Sequence, residues 1–188
     1  LGYQDDTEDP SVYIKFKVVP SSLAGSEVRD RLFRLSLHKP AYFLAWTTTP
    51  WTLPGNTALA VAPEADYAVV EVGDEYLILA DALREDVGLG GNRVVERVKG
   101  EYLVEAEYGP LFDPHEYGVE RLRPQSFIDR DVTRMTTVFQ VQERPKPSPL
   151  TGRGLSYKVI DADFVSLEEG TGIVHIAPAY GEIDFEAG

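Results

Sequence analysis

The chain has 188 residues, 43% of them apolar, which suits one soluble globular domain with a sizeable core. Its 18 basic and 31 acidic residues leave a net charge of −13, and so acidic a surface repels phosphate at long range, against a free-standing nucleic-acid binder. The absence of cysteine excludes disulfides and thiolate metal sites, and no apolar run approaches the ~20 residues of a membrane span. Basic residues are scattered and form no nucleic-acid stripe. Leu1 in place of a methionine, with no signal peptide, suggests a piece of a longer polypeptide.

Residues 1–10 are acidic and read as a linker leading into the domain. Ser11–Val19 alternates, with Val12, Ile14, Phe16 and Val18 on one face, and predicts a half-buried strand. Ala41–Thr47, Thr57–Ala62, Tyr67–Val72 and Tyr76–Ala80 read as further short strands, the last two joined by a turn at Asp74-Glu75. Asp81 is placed to cap a short helix, Ala82–Val87, ending at Gly88. Arg93–Val98 and Tyr102–Tyr108 predict a strand pair around Lys99-Gly100. Arg134–Val141, Tyr157–Ile160 and Gly172–Ala177 add strands, and the proline-rich stretch 142–154 reads as an exposed loop. Many short strands and few helices predict a mainly β fold, a distorted β-barrel with a few peripheral short helices, as a single domain.

Two blocks carry the chemical information. In the first, Ala45–Asn56, four threonine hydroxyls, two indoles and two prolines fall within eleven residues. Pro50 and Pro54 break a helix, and the run is too polar for an ordinary buried strand. It reads as a strand ending in a rigid turn that presents hydroxyls and aromatic faces to a small polar ligand. The second block is Gly170–Asp184. In an extended strand Ile173, His175 and Ala177 share one face, while Val174 and Ile176 take the other, the expected core face. Pro178 ends the strand, Gly181 permits a tight turn and Asp184 follows at the start of a helix. Singly, each residue has an ordinary structural reading: a satisfied strand histidine, a helix cap at Asp184, β propensity for Thr47–Thr49, and core packing for Trp46 and Trp51. His38 and His115 lack partners at metal-ligand spacing, so no zinc site is expected. There is no nucleophile elbow, and the Gly88–Gly91 run lacks the strand-to-helix context of a phosphate loop.

Together the blocks resemble the editing domain inserted into class I aminoacyl-tRNA synthetases for branched aliphatic amino acids. Valyl and leucyl members carry an Arg-Pro pair, then an acidic residue and Thr. Thr49-Pro50-Trp51-Thr52 is similar to the isoleucyl form, as is GTGIVHIAP with Asp184 nine residues after His175. Weaker matches are Pro10–Val18, Tyr76–Leu83 and Tyr108–Phe112, so residues 10–112 and 157–188 are covered. The stretch 113–155 departs from the shorter pattern and reads as an insertion within the domain. The HIGH and KMSKS signatures of the synthetic site are absent.

The resemblance implies hydrolysis of valyl-adenylate and of valine wrongly attached to the isoleucine tRNA. A pocket built for isoleucine cannot strongly reject a side chain one methylene smaller, a group worth only ~1–3 kcal/mol. That limit is known from isoleucyl-tRNA synthetase itself; a second, smaller pocket removes the error by sterics. It implies that Asp184 pairs with the substrate ammonium, and that His175, Trp51 and Thr52 wall the side-chain pocket. Thr47, Thr48 and Thr49 would contact the 3′-terminal adenosine or adenylate and the ester, while Trp46 and Asn56 hold the loop in shape. No metal or ATP cofactor is implied, and a positioned water is the expected nucleophile. The rest of the parent synthetase is the implied partner, the location cytoplasmic and the domain monomeric. His175 as general base is the competing mechanism, with a pH–rate limb near roughly 6.5. Two alternatives stay open: a non-catalytic module that binds the tRNA acceptor end, and valyl or leucyl editing.

Overall fold

The computed structural model describes residues 11–23, 26–112, 157–178 and 180, with only the backbone of residues 122–129 and 134–141. The chain divides into two compact units, Leu1–Leu111 with Ser156–Gly188, and Phe112–Leu155. In chain order, the first unit holds strand β1 (Val12–Lys17), helix α1 (Glu27–His38), β2 (Ala41–Thr47), β3 (Ala58–Val61), β4 (Asp66–Val72), β5 (Glu75–Ala80), β6 (Val94–Lys99) and β7 (Glu107–Tyr108). The second unit carries β8 (Leu122–Asp129) and β9 (Arg134–Val141), an antiparallel pair with Leu122 opposite Val141. The chain then returns to the first unit with β10 (Tyr157–Asp161) and β11 (Ile173–Ile176).

The strands of the first unit form two sheets. One has the order β1-β2-β5-β4-β6, the other β11-β3-β10-β7. Each contains one parallel pair, β2 with β5 and β3 with β10. β1 alternates as its sequence dictates: Ile14 and Phe16 are buried, while Tyr13, Lys15 and Lys17 are exposed. The runs Ala58–Val61 and Tyr76–Ala80 are buried at every position, the pattern of strands covered on both faces. Leu44, Ala68, Val70, Leu77 and Leu79 make one apolar layer, and Ala58, Ala60, Val165 and Ile176 another. Burial of each larger side chain among these stabilises the fold by about 1.5–3 kcal/mol.

The sheets meet at a corner built on Tyr108. Val18 bridges to Tyr108, the Val19 N–H donates to the Glu107 carbonyl at 2.8 Å, and the Gly109 N–H donates to the Lys17 carbonyl at 2.8 Å. The Phe16 and Tyr108 rings pack edge to face with centroids 5.2 Å apart. At the far ends β6 and β11 do not pair, so the fold is mainly β with two joined sheets, and among the described residues no closed barrel exists.

The structure corrects several expectations. Ala82–Val87 is not a helix: a 3-10 turn, Asp81–Leu83, gives way to turns. The Asp81 carboxylate is taken by Arg84 at 2.7 Å and Arg97 at 2.9 Å, so it does not cap. Tyr102–Tyr108 is strand only at its last two residues, because Glu105 adopts a φ of 66° to send its N–H to the Val159 carbonyl. α1 has no counterpart in the sequence reading. Ser26 caps it by accepting from the Arg29 N–H at 3.2 Å, and only Leu32 and Ser36 are buried. Residues 1–10 and 142–154 lie outside the described residues.

One buried phenol ties the two sheets together. The Tyr67 hydroxyl, on β4, donates to the Gly172 carbonyl at 2.6 Å and accepts from the Ala62 N–H at 3.0 Å. Burial pushes its pKa up to about 12. A hydroxyl so raised contributes stability that is fully present below its unfolded value near 10 and lost as pH rises toward the folded value. Tyr67→Phe is expected to lower the unfolding free energy by roughly 1–3 kcal/mol at neutral pH. In urea titrations the wild-type advantage should be constant below pH ~10 and shrink above it.

Candidate functional site

The threonine-rich block begins on β2 and leaves it through a tight turn. Thr47, the last strand residue, is buried, and its Oγ1 accepts the Thr49 N–H at 3.0 Å and lies 3.1 Å from the Thr49 Oγ1. This closes the chain on itself, and Pro50 opens a 3-10 turn, Pro50–Gly55. Within it the Thr52 hydroxyl donates to the Thr49 carbonyl at 2.7 Å. Asn56 ends the turn from inside the protein: its Nδ2 donates to the Ala58 carbonyl at 2.8 Å, and its Oδ1 accepts from the Tyr108 hydroxyl at 2.7 Å.

The second block arrives from across the fold. Gly170 and Gly172 have φ of 75° and 69°, which side-chain-bearing residues rarely adopt. A Cβ on Gly172 would lie 2.4 Å from the Ala80 Cβ, and one on Gly170 would lie 2.8 Å from the Trp46 ring. The Ala80 N–H donates to the Thr171 carbonyl at 2.8 Å. Thus pinned, β11 runs antiparallel to β3, with His175 opposite Leu59.

The blocks meet in a cleft of ≈ 310 Å³. Trp46, Thr47, Thr49, Trp51 and Thr52 line it from the first, and Val174, His175 and Tyr180 from the second. The His175 Nε2 stands 3.0 Å from the Thr52 Oγ1, across 123 positions of sequence. None of these described lining residues carries a permanent charge. The surface they offer is hydroxyls, an imidazole and aromatic faces. Such a lining suits a small, partly polar ligand and offers it no permanent charge. Among the described residues no group of three His, Cys, Asp or Glu side chains could hold a metal ion, and no helix is long and apolar enough to cross a membrane.

No protein-family model matches the chain. The isoleucine–tRNA ligase of Dehalococcoides mccartyi strain CBDB1 is 42% identical over 187 residues, covering 100% of this chain and 16% of that enzyme. That of Thermus thermophilus is 36% identical over 186 residues, covering 99% of this chain and 13% of the enzyme. The chain thus spans about a sixth or less of these curated relatives. Among solved structures, GlLeuRS-CP1 superposes with a TM-score of 0.60 at 17% identity, over 94% of this chain and 56% of that one. The editing domain of the P. knowlesi cytosolic leucyl-tRNA synthetase gives 0.57 at 14% identity, over 93% and 60%. The chain corresponds to one segment of the isoleucine–tRNA ligases and has the fold of the leucyl-tRNA synthetase editing domains.

Of the residues expected at the site, Trp46, Thr47, Thr49, Trp51, Thr52 and His175 line one cleft. Thr48 is exposed beside it, and the Asn56 amide is engaged in the interior; neither is among the lining residues. Asp184 and His115 lie outside the described residues, and His38 is exposed at the end of α1. The two faces of β11 do not divide as expected. Ile173, Ile176 and Ala177 are all buried, and half-buried Val174 lines the cleft beside His175, because β11 packs against β2 as well as β3.

Tyr180 was not legible as a site residue. Its ring covers Gly55, where a Cβ would lie 2.5 Å from the Tyr180 Cε2. The signal that could have found it is the aromatic in Ala177–Tyr180, just past the strand-ending Pro178. The Asn56–Tyr108 bond anchors the floor of the threonine turn. In a double-mutant cycle, Asn56→Ala and Tyr108→Phe should couple by about 0.5–3 kcal/mol, read from urea unfolding.

Proposed function

We propose that this domain proofreads in the cytoplasm for its parent synthetase, hydrolysing valyl-adenylate and valine esterified to the isoleucine tRNA. The observation that carries this reading is the meeting of the threonine turn and His175 in one small uncharged cleft. Its volume, ≈ 310 Å³, is at the low end for a ligand site, which supports sorting by size. Thr52, Trp51 and His175 form those walls. The hydroxyls of Thr47, Thr48 and Thr49 contact the ester and the terminal ribose, and Asp184 pairs with the α-ammonium.

The reaction needs only water. Its oxygen adds to the ester carbonyl carbon, the bond to the ribose oxygen breaks, and the ribose oxygen takes a proton. On the adenylate the leaving group is the phosphate oxygen of AMP. Orientation in the cleft and hydrogen bonds to the developing oxyanion supply most of the rate. The parent enzyme holds the rest of the tRNA, since this domain's charge of −13 repels phosphate.

Deacylation of valyl- and isoleucyl-charged isoleucine tRNA tests the reading. The wild-type domain should cut the valyl ester selectively. Asp184→Ala should abolish cutting with the fold retained, and His175→Ala should lower the valyl-to-isoleucyl ratio of kcat/KM about tenfold or more. Cleavage of both esters at equal rates by the wild type would refute the sieve.

A further inference from the structure

Thr52 and His175 form a hydroxyl–imidazole pair 3.0 Å apart inside the cleft, a spacing that would suit a nucleophile and its base. Counting hydrogens gives a different answer. A threonine hydroxyl has one hydrogen to donate. The Thr52 Oγ1 lies 2.7 Å from the Thr49 carbonyl oxygen, which can only accept, so the hydrogen is committed there. Toward His175 the Thr52 oxygen then offers only a lone pair. The contact is a hydrogen bond only if Nε2 carries the hydrogen. The chain of donation therefore runs from His175 Nε2–H to Thr52 Oγ1, and from Thr52 Oγ1–H to the Thr49 carbonyl. The backbone N–H of Thr52 reaches the same carbonyl at 3.1 Å, so the turn itself fixes where the hydroxyl points.

We propose that Thr52 is a positioning residue for His175: its hydroxyl, locked on the Thr49 carbonyl, holds the imidazole with Nε2 protonated and the ring fixed as a wall of the cleft. Two consequences follow. Nε2 cannot accept a proton from an attacking water, and Thr52 cannot be activated by it as a nucleophile. A fixed wall is also what sorting by one methylene requires, because a ring free to rotate gives way by about that much. The inference rests on the editing reading for the substrate, while the protonation of Nε2 rests on the hydrogen-bond geometry alone.

The chain has three histidines, so side-chain ¹⁵N spectra of the intact domain resolve them, with His175→Gln to assign the signal. The expected wild-type spectrum has the hydrogen of His175 on Nε2. Thr52→Val should shift that signal, and Thr52→Ser, which keeps the hydroxyl, should restore it. In parallel, Thr52→Val should lower the valyl-to-isoleucyl ratio of kcat/KM about tenfold, and Thr52→Ser should return it toward wild type. An Nε2 without hydrogen in the wild type overturns the proposal. So does a His175 signal that Thr52→Val leaves unmoved, or a Thr52→Ser variant that matches Thr52→Val in both readouts. If the spectra are as expected and the wild type cuts neither ester, the editing reading fails while the positioning of His175 by Thr52 stands.

Discussion

The bond from the Tyr67 hydroxyl to the Gly172 carbonyl, 2.6 Å long and buried, sets where β11 begins. Its neighbour from the Ala80 N–H to the Thr171 carbonyl does the same from β5. Both reach out of the five-stranded sheet into the turn that precedes a strand of the four-stranded one. Without them His175 has no fixed address, because among the described residues β11 is an edge strand with only β3 for a ladder partner. The glycines make this docking possible: at 170 the backbone lies against Trp46, and at 172 against Ala80, closer than any Cβ allows. The same turn that places β11 therefore also seats the Trp46 ring in the cleft.

From that placement the character of the site follows. The threonine turn is held by its own hydroxyls and by Asn56 beneath it, so it meets β11 as a preformed surface. The described lining is uncharged within a domain of net charge −13. Such a cleft sorts by shape and by hydroxyl contacts rather than by charge attraction. Trp51 and Tyr180, 63% and 57% exposed, stand where a planar group entering the cleft would meet them.

Much of this was legible in the sequence, and the reasons are specific. β1 and β5 announce themselves by alternation and by an unbroken apolar run, patterns set by the side-chain period of a strand. The threonine block was legible because proline and threonine together forbid a helix. α1 was not, because its sequence, EVRDRLFRLSLH, buries only Leu32 and Ser36 and shows no broad apolar stripe. The expected helix after Asp81 failed for a tertiary reason: two arginines, one of them on β6, claim the carboxylate that would have capped it. Tyr180 is not legible in the sequence because its seat depends on a missing Cβ at Gly55, 125 positions earlier. Pairing of that kind is invisible to local pattern.

The central claim is that the cleft accepts valine attached to adenosine and refuses isoleucine. Both tryptophans of the chain line the cleft, so fluorescence excited selectively at tryptophan, beyond the absorption of the tyrosines, reports on it. The most direct measurement is a fluorescence titration of the intact domain with non-hydrolysable amide analogues of valyl- and isoleucyl-adenosine. The account predicts a saturable change with the valyl analogue and at least about tenfold weaker binding of the isoleucyl one. Equal affinity for the two, or no response to either from a folded sample, would contradict it.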